Sequence, residues 1–384
     1  MKKKICMLAV AHSAKDDRIF FKESLSLHNA GFEVINLIGT NPNGQILDMS
    51  GEVLNPNGEK EVFLEGIKTI GIAEEKGKTQ SLLKKVFRGK YYQRFIQKGV
   101  EENAAVYHAH EPQSYWLALQ IAKQNGAKVV FDAHESWRTG SPKDMLIKRR
   151  QLRHLKYLIA ANPLTVSHLK KFNPKIQSEV IYNASIIGQQ AFNESQEIVI
   201  VHEGSFPFNR GLKLMLTALK ILKEKKLRFT LKIIGEFRGE EKIYFDEFVR
   251  HHSLDAFIQV TGWKKYEEMP AELKGASIGL ILNTPTPNNI YGGPANKLFN
   301  YIANNLCVIA VDLPETKRIV EKYNCGTILN NRSPELLADT LIHYFQNKAD
   351  LNTKRKAAYE AHKELSWKNE ADKLIAFYHN SVLA

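Results

Sequence analysis

Residues 291–310 read YGGPANKLFNYIANNLCVIA, and this stretch decides the fold. Two glycines and a proline precede a helix expected over Ala295–Asn304, and a short buried strand follows at Val308–Val311. A glycine turn, a helix and a buried strand in succession belong to a parallel sheet with crossover helices. Working back from it, the same alternation fills the second half. Strands are expected at Ile198–His202, Thr230–Ile234, Ile258–Val260 and Ile278–Leu282, with helices at Leu212–Lys225, Glu241–His251 and Tyr266–Lys274. Ahead of these, Ala184–Gln196 loses periodicity and turns polar. The first half alternates likewise, with strands at Ile5–Ala9, Val34–Ile38, Val106–Ala109, Val129–Asp132 and Leu164–Val166, and helices at Asp17–Ala30, Leu82–Glu102, Tyr115–Gln124 and Asp144–Ala160. Two doubly wound α/β domains therefore follow one another, with ligands expected beyond the carboxyl ends of their strands, in a cleft between the domains.

At 384 residues the chain is long enough for two cores, and its 43% hydrophobic and 25% charged composition is that of a globular protein. Cys6, Cys307 and Cys325 lie far apart in or beside apolar runs without metal-ligand spacing, and read as buried free thiols. No apolar run reaches membrane-spanning length and nothing near Met1 resembles a signal peptide, so the cytoplasm is the expected compartment. The net charge of +13 favours an anionic partner. Lys148, Arg149, Arg150, Arg153 and Lys156, set around Leu152, Leu155 and Ile159, suit either a peripheral helix on an anionic membrane or the solvated face of a core-packed one. Lys84, Lys85, Arg88, Lys90 and Arg94 form a second basic group. The basic residues do not interleave with aromatics as in a nucleic-acid module, which ranks nucleic acid last.

Two strand ends in the first half carry a His-Glu pair, His110-Glu111 and His134-Glu135, where such sheets put functional loops. Neither has the spacing of a metal site, and a structural histidine capping a strand is the alternative for each. In the second half, residues 198–212 read IVIVHEGSFPFNRGL, a strand, a glycine turn at Gly204-Ser205 and a helix start with Arg210 at its mouth. Unpaired N–H groups at a helix start and a planar guanidinium suit a diphosphate. The segment is neither a Walker loop nor Gly-x-Gly-x-x-Gly. At the helix starting with Asn296 and Lys297, the lysine can meet a phosphate and Asn300 a ribose hydroxyl, unless this is an ordinary polar first turn.

In this order, Asp17-Arg18-Ile19, His110-Glu111-Pro112, Asp132-Ala133-His134-Glu135, Asn183, Gly204 to Gly211, Ile234-Gly235-Glu236, Thr261-Gly262-Trp263, Pro294 to Ala310 and Ser366-Trp367-Lys368 resemble the retaining family-4 glycosyltransferases. The resemblance implies the GT-B fold, two Rossmann-like domains facing across a cleft. It implies an acceptor-side domain over 1–185, a linker over 186–196, a nucleotide-sugar domain over 197–365 and a closing helix over 366–384 that packs back on the first domain. His134 matches the active-site histidine that contacts the donor sugar, with His110, Glu111 and Glu135 on the acceptor side. Gly204, Ser205, Arg210, Glu236, Asn296, Lys297 and Asn300 would line the donor site. Ser205 stands where relatives often carry arginine, and the family's two spaced glutamates align with Gly292 and Asn300.

What the resemblance implies is transfer of a sugar, with retention, from a nucleotide sugar to a glycan or lipid-linked acceptor, as in assembly of a cell-surface polysaccharide. No cofactor is expected, and with no Asp-x-Asp in the chain no metal either. Two other readings stand beside it: a non-catalytic homologue that binds nucleotide sugar or carbohydrate as a partner subunit, motivated by Asn300, and an epimerase on the same fold.

Overall fold

The computed structural model describes residues 2–73, 81–134, 149–194 and 197–384, the side chains of 81–88 excepted. The chain divides into two compact units: Met1–Tyr182 with Glu370–Ala384, and Asn183–Asn369.

In unit 1 the strands are β1 (Lys4–Ala9), β2 (Glu33–Gly39), β3 (Glu61–Leu64), β4 (Ile67–Ile72), β5 (Val106–Ala109), β6 (Lys128–Ala133), β7 (Tyr157–Ala160) and β8 (Gln177–Val180). They form one sheet in the order β3-β4-β2-β1-β5-β6-β7-β8, parallel except for the β3–β4 hairpin. The strands buried on both faces read as apolar runs, such as Ile5-Cys6-Met7-Leu8-Ala9, because helices cover both sides. From β1 the chain winds first to β2 and later to β5, so β1 and β5 flank the point where winding reverses, the usual ligand crevice.

Unit 2 repeats the plan. Strands β9 (Val199–Glu203), β10 (Thr230–Ile234), β11 (Ile258–Val260), β12 (Ile278–Ile281), β13 (Cys307–Val311) and β14 (Gly326–Leu329) lie in the order β11-β10-β9-β12-β13-β14. All are parallel, and the reversal falls between β9 and β12. Among the helices, Leu212–Glu224 buries Leu212, Met215, Leu219 and Leu222 on the sheet, the three- and four-residue stripe of an amphipathic helix. The helix Asn296–Ala303 is buried from Lys297 onward.

One pair of expected elements is exchanged. The helix expected over 144–160 ends instead in β7, whose four residues are all buried, and the strand expected at 164–166 lies within the helix Pro163–Lys170. Asn162 caps that helix, its side chain accepting from Thr165 N, with Pro163 in the first turn where a missing N–H costs nothing. Periodicity alone cannot separate a four-residue buried strand from a buried helix end, so the cap was the better signal. Ile159, read as part of the basic amphipathic helix, belongs to β7.

The polar stretch read as a linker from 186 is held within unit 2: Asn305 Nδ2 donates to Gln190 O at 2.9 Å and Gln189 Nε2 to Tyr359 O at 2.7 Å. The last α-helix spans Trp367–Phe377 and runs on into a π-helical turn at Tyr378–Val382, and unit 1 takes the chain from Glu370 on. There Tyr378 is fully buried. All three cysteines are buried free thiols.

Gly211 ends the turn after β9 at φ +92°, and a Cβ there would stand 2.4 Å from Leu282 Cβ and 2.8 Å from Leu282 O. Gly211→Ala combines a left-handed backbone with a backbone collision. The expected loss is about 2–4 kcal/mol in urea unfolding, against little change for Gly126→Ala beyond its φ penalty, since nothing lies near a Cβ there.

Candidate active-site clusters

At the carboxyl ends of β1, β5 and β6 in unit 1, buried titratable side chains converge on Asp132, which is completely buried. Arg18 holds it by a fork, Nε to Oδ2 at 2.7 Å and Nη2 to Oδ1 at 2.9 Å, and its third nitrogen donates to Ile181 O at 3.1 Å. Arg18 Nε also lies 3.0 Å from Glu23 Oε1. His134 Nδ1 approaches Asp132 Oδ2 at 2.8 Å and His110 Nδ1 approaches it at 3.3 Å. Burial alone would raise Asp132, but Arg18 and then His134 hold it well below the ordinary carboxylate value. Glu23 goes the other way: burial and the negative charge of Asp132 raise it well above its ordinary value. Burial keeps His108 well below the ordinary imidazole value and lowers His110.

The sequence placed His110 and His134 at strand ends, and the structure brings both to one carboxylate. His134 is the more accessible, with 12% of its side chain exposed, while His110 is buried and its ring stacks on His108 at 4.7 Å. Glu111 does a different job. Its carboxylate accepts from Val10 N at 3.3 Å and Ala11 N at 2.9 Å and bonds Ser114 Oγ, which ties down the loop after β1. Glu135 lies outside the described residues. Arg18, Glu23 and Asp132 had no assigned role from sequence; an arginine, an acid and an aspartate each sat beside apolar runs in separate segments, and only the fold assembles them.

Glu23, His108, His110 and Asp132 also bring ligand-type atoms within 4.8 Å of one another. The guanidinium of Arg18 already supplies a positive charge against both carboxylates, so a divalent ion there would face it at contact range. The set fits a cluster sharing protons around Arg18 better than a metal site.

In unit 2 the cluster gathers after β9, at the reversal point. Gly204, at φ +88°, turns the chain, and Gly235 lets the β10 end pass close, since a Cβ there would lie 2.3 Å from Gly204 O. Arg210 Nη1 donates to Ser205 Oγ at 3.0 Å and Ser205 O at 3.3 Å, so the serine at this position orients the remaining arginine. Lys297 is buried, with Nζ 3.3 Å from His202 Nε2. His202 in turn stacks on Phe206 with centroids 3.5 Å apart. Burial, and then the charge of Arg210, lower Lys297 to about 7, and burial and Lys297 keep His202 well below its ordinary value. His202 was missed in the sequence, although a histidine in the apolar run 199–201 is a signal of a satisfied or functional buried ring.

Asn300 is buried, and its amide is already engaged: Nδ2 donates to Glu203 Oε1 at 2.9 Å and Oδ1 accepts from Ser185 Oγ at 2.7 Å. A carboxylate therefore does stand at this spot, brought by the end of β9 instead of by the helix. The exposed Asn296 accepts from Nδ2 of the half-buried Asn183 at 2.7 Å. Glu236 lies on the exposed loop after β10 beside Arg238, 3.5 Å away.

Two parallel sheets of this order, each with its charged cluster at the reversal point, define a GT-B fold. The solved structures agree in fold: sucrose-phosphate synthase of Thermosynechococcus elongatus, 14% identical, covers 99% of each chain with a TM-score of 0.76. Anabaena HepE in complex with UDP, 12% identical, covers 99% of this chain and 100% of its own with a TM-score of 0.74. A glycosyltransferase of Rickettsia africae, 17% identical, covers 100% and 99% with a TM-score of 0.72. No protein of curated function matches the sequence. Residues 185–364 match the family model of glycosyl transferases group 1, on a chain whose fold is GT-B.

Asn300→Glu would set a second carboxylate against Glu203. Expected is a loss of about 1–3 kcal/mol in urea unfolding, from like charges and a lost hydrogen bond. Adding Glu203→Gln should return most of it, the non-additivity that marks a direct pair.

Proposed function

We propose that this chain transfers a sugar from a nucleotide sugar to a glycan or lipid-linked acceptor, with retention and without a metal. The observation that carries the reading is the pair of buried or half-buried cations, Arg210 and Lys297, at the reversal point of unit 2, both held by neutral partners. Such a pair at the starts of the helices Leu212–Glu224 and Asn296–Ala303 suits a diphosphate, whose charge grows as the sugar leaves. HepE, a protein of the same fold, has been solved with UDP-glucose, which supports a nucleotide sugar as the ligand class. His134 would contact the sugar. The carboxylate of Glu203 beside Asn300 weakens the case for a binding partner without activity, which rested on the missing acid.

The donor reading is tested by calorimetric titration with UDP, GDP and ADP. One of them should bind saturably, and Arg210→Ala should weaken it by about ten- to a hundredfold, the worth of a charge-assisted bond. Since Lys297 sits at about 7 in the free protein, an arriving diphosphate holds its proton in place. Between about pH 7.5 and 9 binding should therefore take up a proton, weaken by up to tenfold per pH unit, and show enthalpies that differ between HEPES and Tris. In Lys297→Met the proton uptake should vanish. Absence of binding by any of the three at millimolar concentration would remove the proposal.

For the acceptor, the exposed Arg149 and Arg150, with Arg153 nearby, support contact with an anionic bilayer. Among the described residues no helix is long and apolar enough to cross a membrane. Co-sedimentation with vesicles containing phosphatidylglycerol should fall several-fold when the three arginines become glutamine. Unchanged binding, or none by the wild type, would sink the membrane proposal.

A further inference from the structure

The ionised Asp132 can only accept hydrogen bonds, so the Nδ1 atom of His134, 2.8 Å away, must carry a proton and donate it. In the neutral ring this fixes the tautomer and leaves Nε2 as the bare nitrogen. Asp132 can impose this only while it is itself held, and the fork of Arg18 occupies both its oxygens. The same guanidinium has one more anchor, the carbonyl of Ile181 at 3.1 Å. That carbonyl shares its peptide plane with the N–H of Tyr182, which donates to Glu370 Oε2 at 2.9 Å. Tyr182 is the last residue before the chain leaves unit 1, and Glu370 is the first after it returns. One peptide group at the exit is thus gripped on both sides, by a cation at its oxygen and a carboxylate at its nitrogen, an arrangement in which each bond polarises the other.

We propose that Arg18 is a positioning residue for His134, and that through the 181–182 peptide it ties the ring's tautomer to the backbone at the point where the chain leaves and re-enters unit 1. Rotation of that peptide plane breaks the bonds to Arg18 and Glu370 together. A guanidinium released on one side re-settles on its carboxylates, and the grip of Asp132 on His134 changes with it. Arg18, Asp132, Ile181, Tyr182 and Glu370 are all buried, so water cannot readily stand in for a partner lost between them. The proposal rests on the glycosyltransferase reading only for the use made of His134; the path itself does not.

The test is the tautomer of His134, read from ring nitrogen shifts of the full-length chain labelled with 15N-histidine, followed over a pH series to its alkaline plateau. His134→Gln identifies the signal. In the wild type the Nδ1–H form should account for nearly all of it. Arg18→Lys keeps the charge but not the fork, and should give a mixture of the two tautomers. Glu370→Gln, which alters only the far end of the path, should shift the same signal in the same direction by a smaller amount. Asp132→Asn, able to donate from its amide, should favour the opposite form. Nucleoside diphosphate binding should be unchanged in all three. If folded Arg18→Lys keeps the wild-type tautomer, the positioning role is overturned; if Glu370→Gln leaves the signal unmoved, the link to the exit peptide is. Where Arg18→Lys does not accumulate, Glu370→Gln alone decides the path. Tautomer changes as expected with no nucleotide bound by the wild type would uphold the path and remove the donor reading.

Discussion

The buried pair of Arg18 and Asp132 is the interaction on which unit 1 is arranged. Removing two charges from water is expensive, and the pair holds because its own two ions are well satisfied: the fork uses both carboxylate oxygens, a third nitrogen reaches Ile181, and two imidazoles approach the carboxylate. Taking away one partner would leave the other charged and buried, at a cost of about 3–5 kcal/mol. That cost makes the geometry rigid. Asp132 stands at the end of β6 and Arg18 in the first helical turns after β1, so their bond also fixes how the loop after β1 lies over the strand ends. His134, two residues beyond Asp132, inherits its orientation from this frame.

Strand order explains why the functional groups collect where they do. In both sheets the chain winds one way from the first strand and later the other way, and helices leave the crevice at the reversal uncovered. In unit 1 this brings the loop after β1 against Glu111 from the end of β5. In unit 2 it brings the turn after β9 against the helix before β13, joined by Lys297 to His202 and Asn300 to Glu203. Residues about 95 apart in sequence become partners because β9 and β12 are neighbours in the sheet.

Much of the fold was legible because parallel strands buried on both faces are short apolar runs, and the helices between them carry a clear stripe. What misled was local: Tyr157–Ala160 is apolar enough to end a helix or form a strand, and the cap at Asn162-Pro163 had to be weighed first. The β3–β4 hairpin and the short β8 have too few apolar residues to announce themselves; β8 reads Gln-Ser-Glu-Val. Of the candidate site, the ends of strands were readable and the partners were not. Nothing in the sequence pairs Arg18 with Asp132, 114 positions away, and nothing in the segment 291–310 says that its asparagine will meet a glutamate from β9. A motif read along the chain records which residue is missing from its usual place. Only the fold shows which other strand fills it.

The two clusters treat charge in opposite ways. Around Arg18 the positive charge is enclosed by two carboxyl groups, and burial and Asp132 raise Glu23 well above its ordinary value. The cluster is thus closed upon itself. In unit 2 the cations have neutral hydrogen-bond partners, a serine and an imidazole, and burial lowers both Arg210 and Lys297. Two like charges brought together and partly withdrawn from water form an arrangement that costs stability in the free protein, and an anion relieves that cost on arrival. Folding alone would have been better served by replacing Lys297 with an apolar side chain. Its retention in a buried helix turn beside His202 is the physical reason to look for a phosphate there, and it holds whether or not the helix carries the acid that the sequence pattern led one to expect at Asn300.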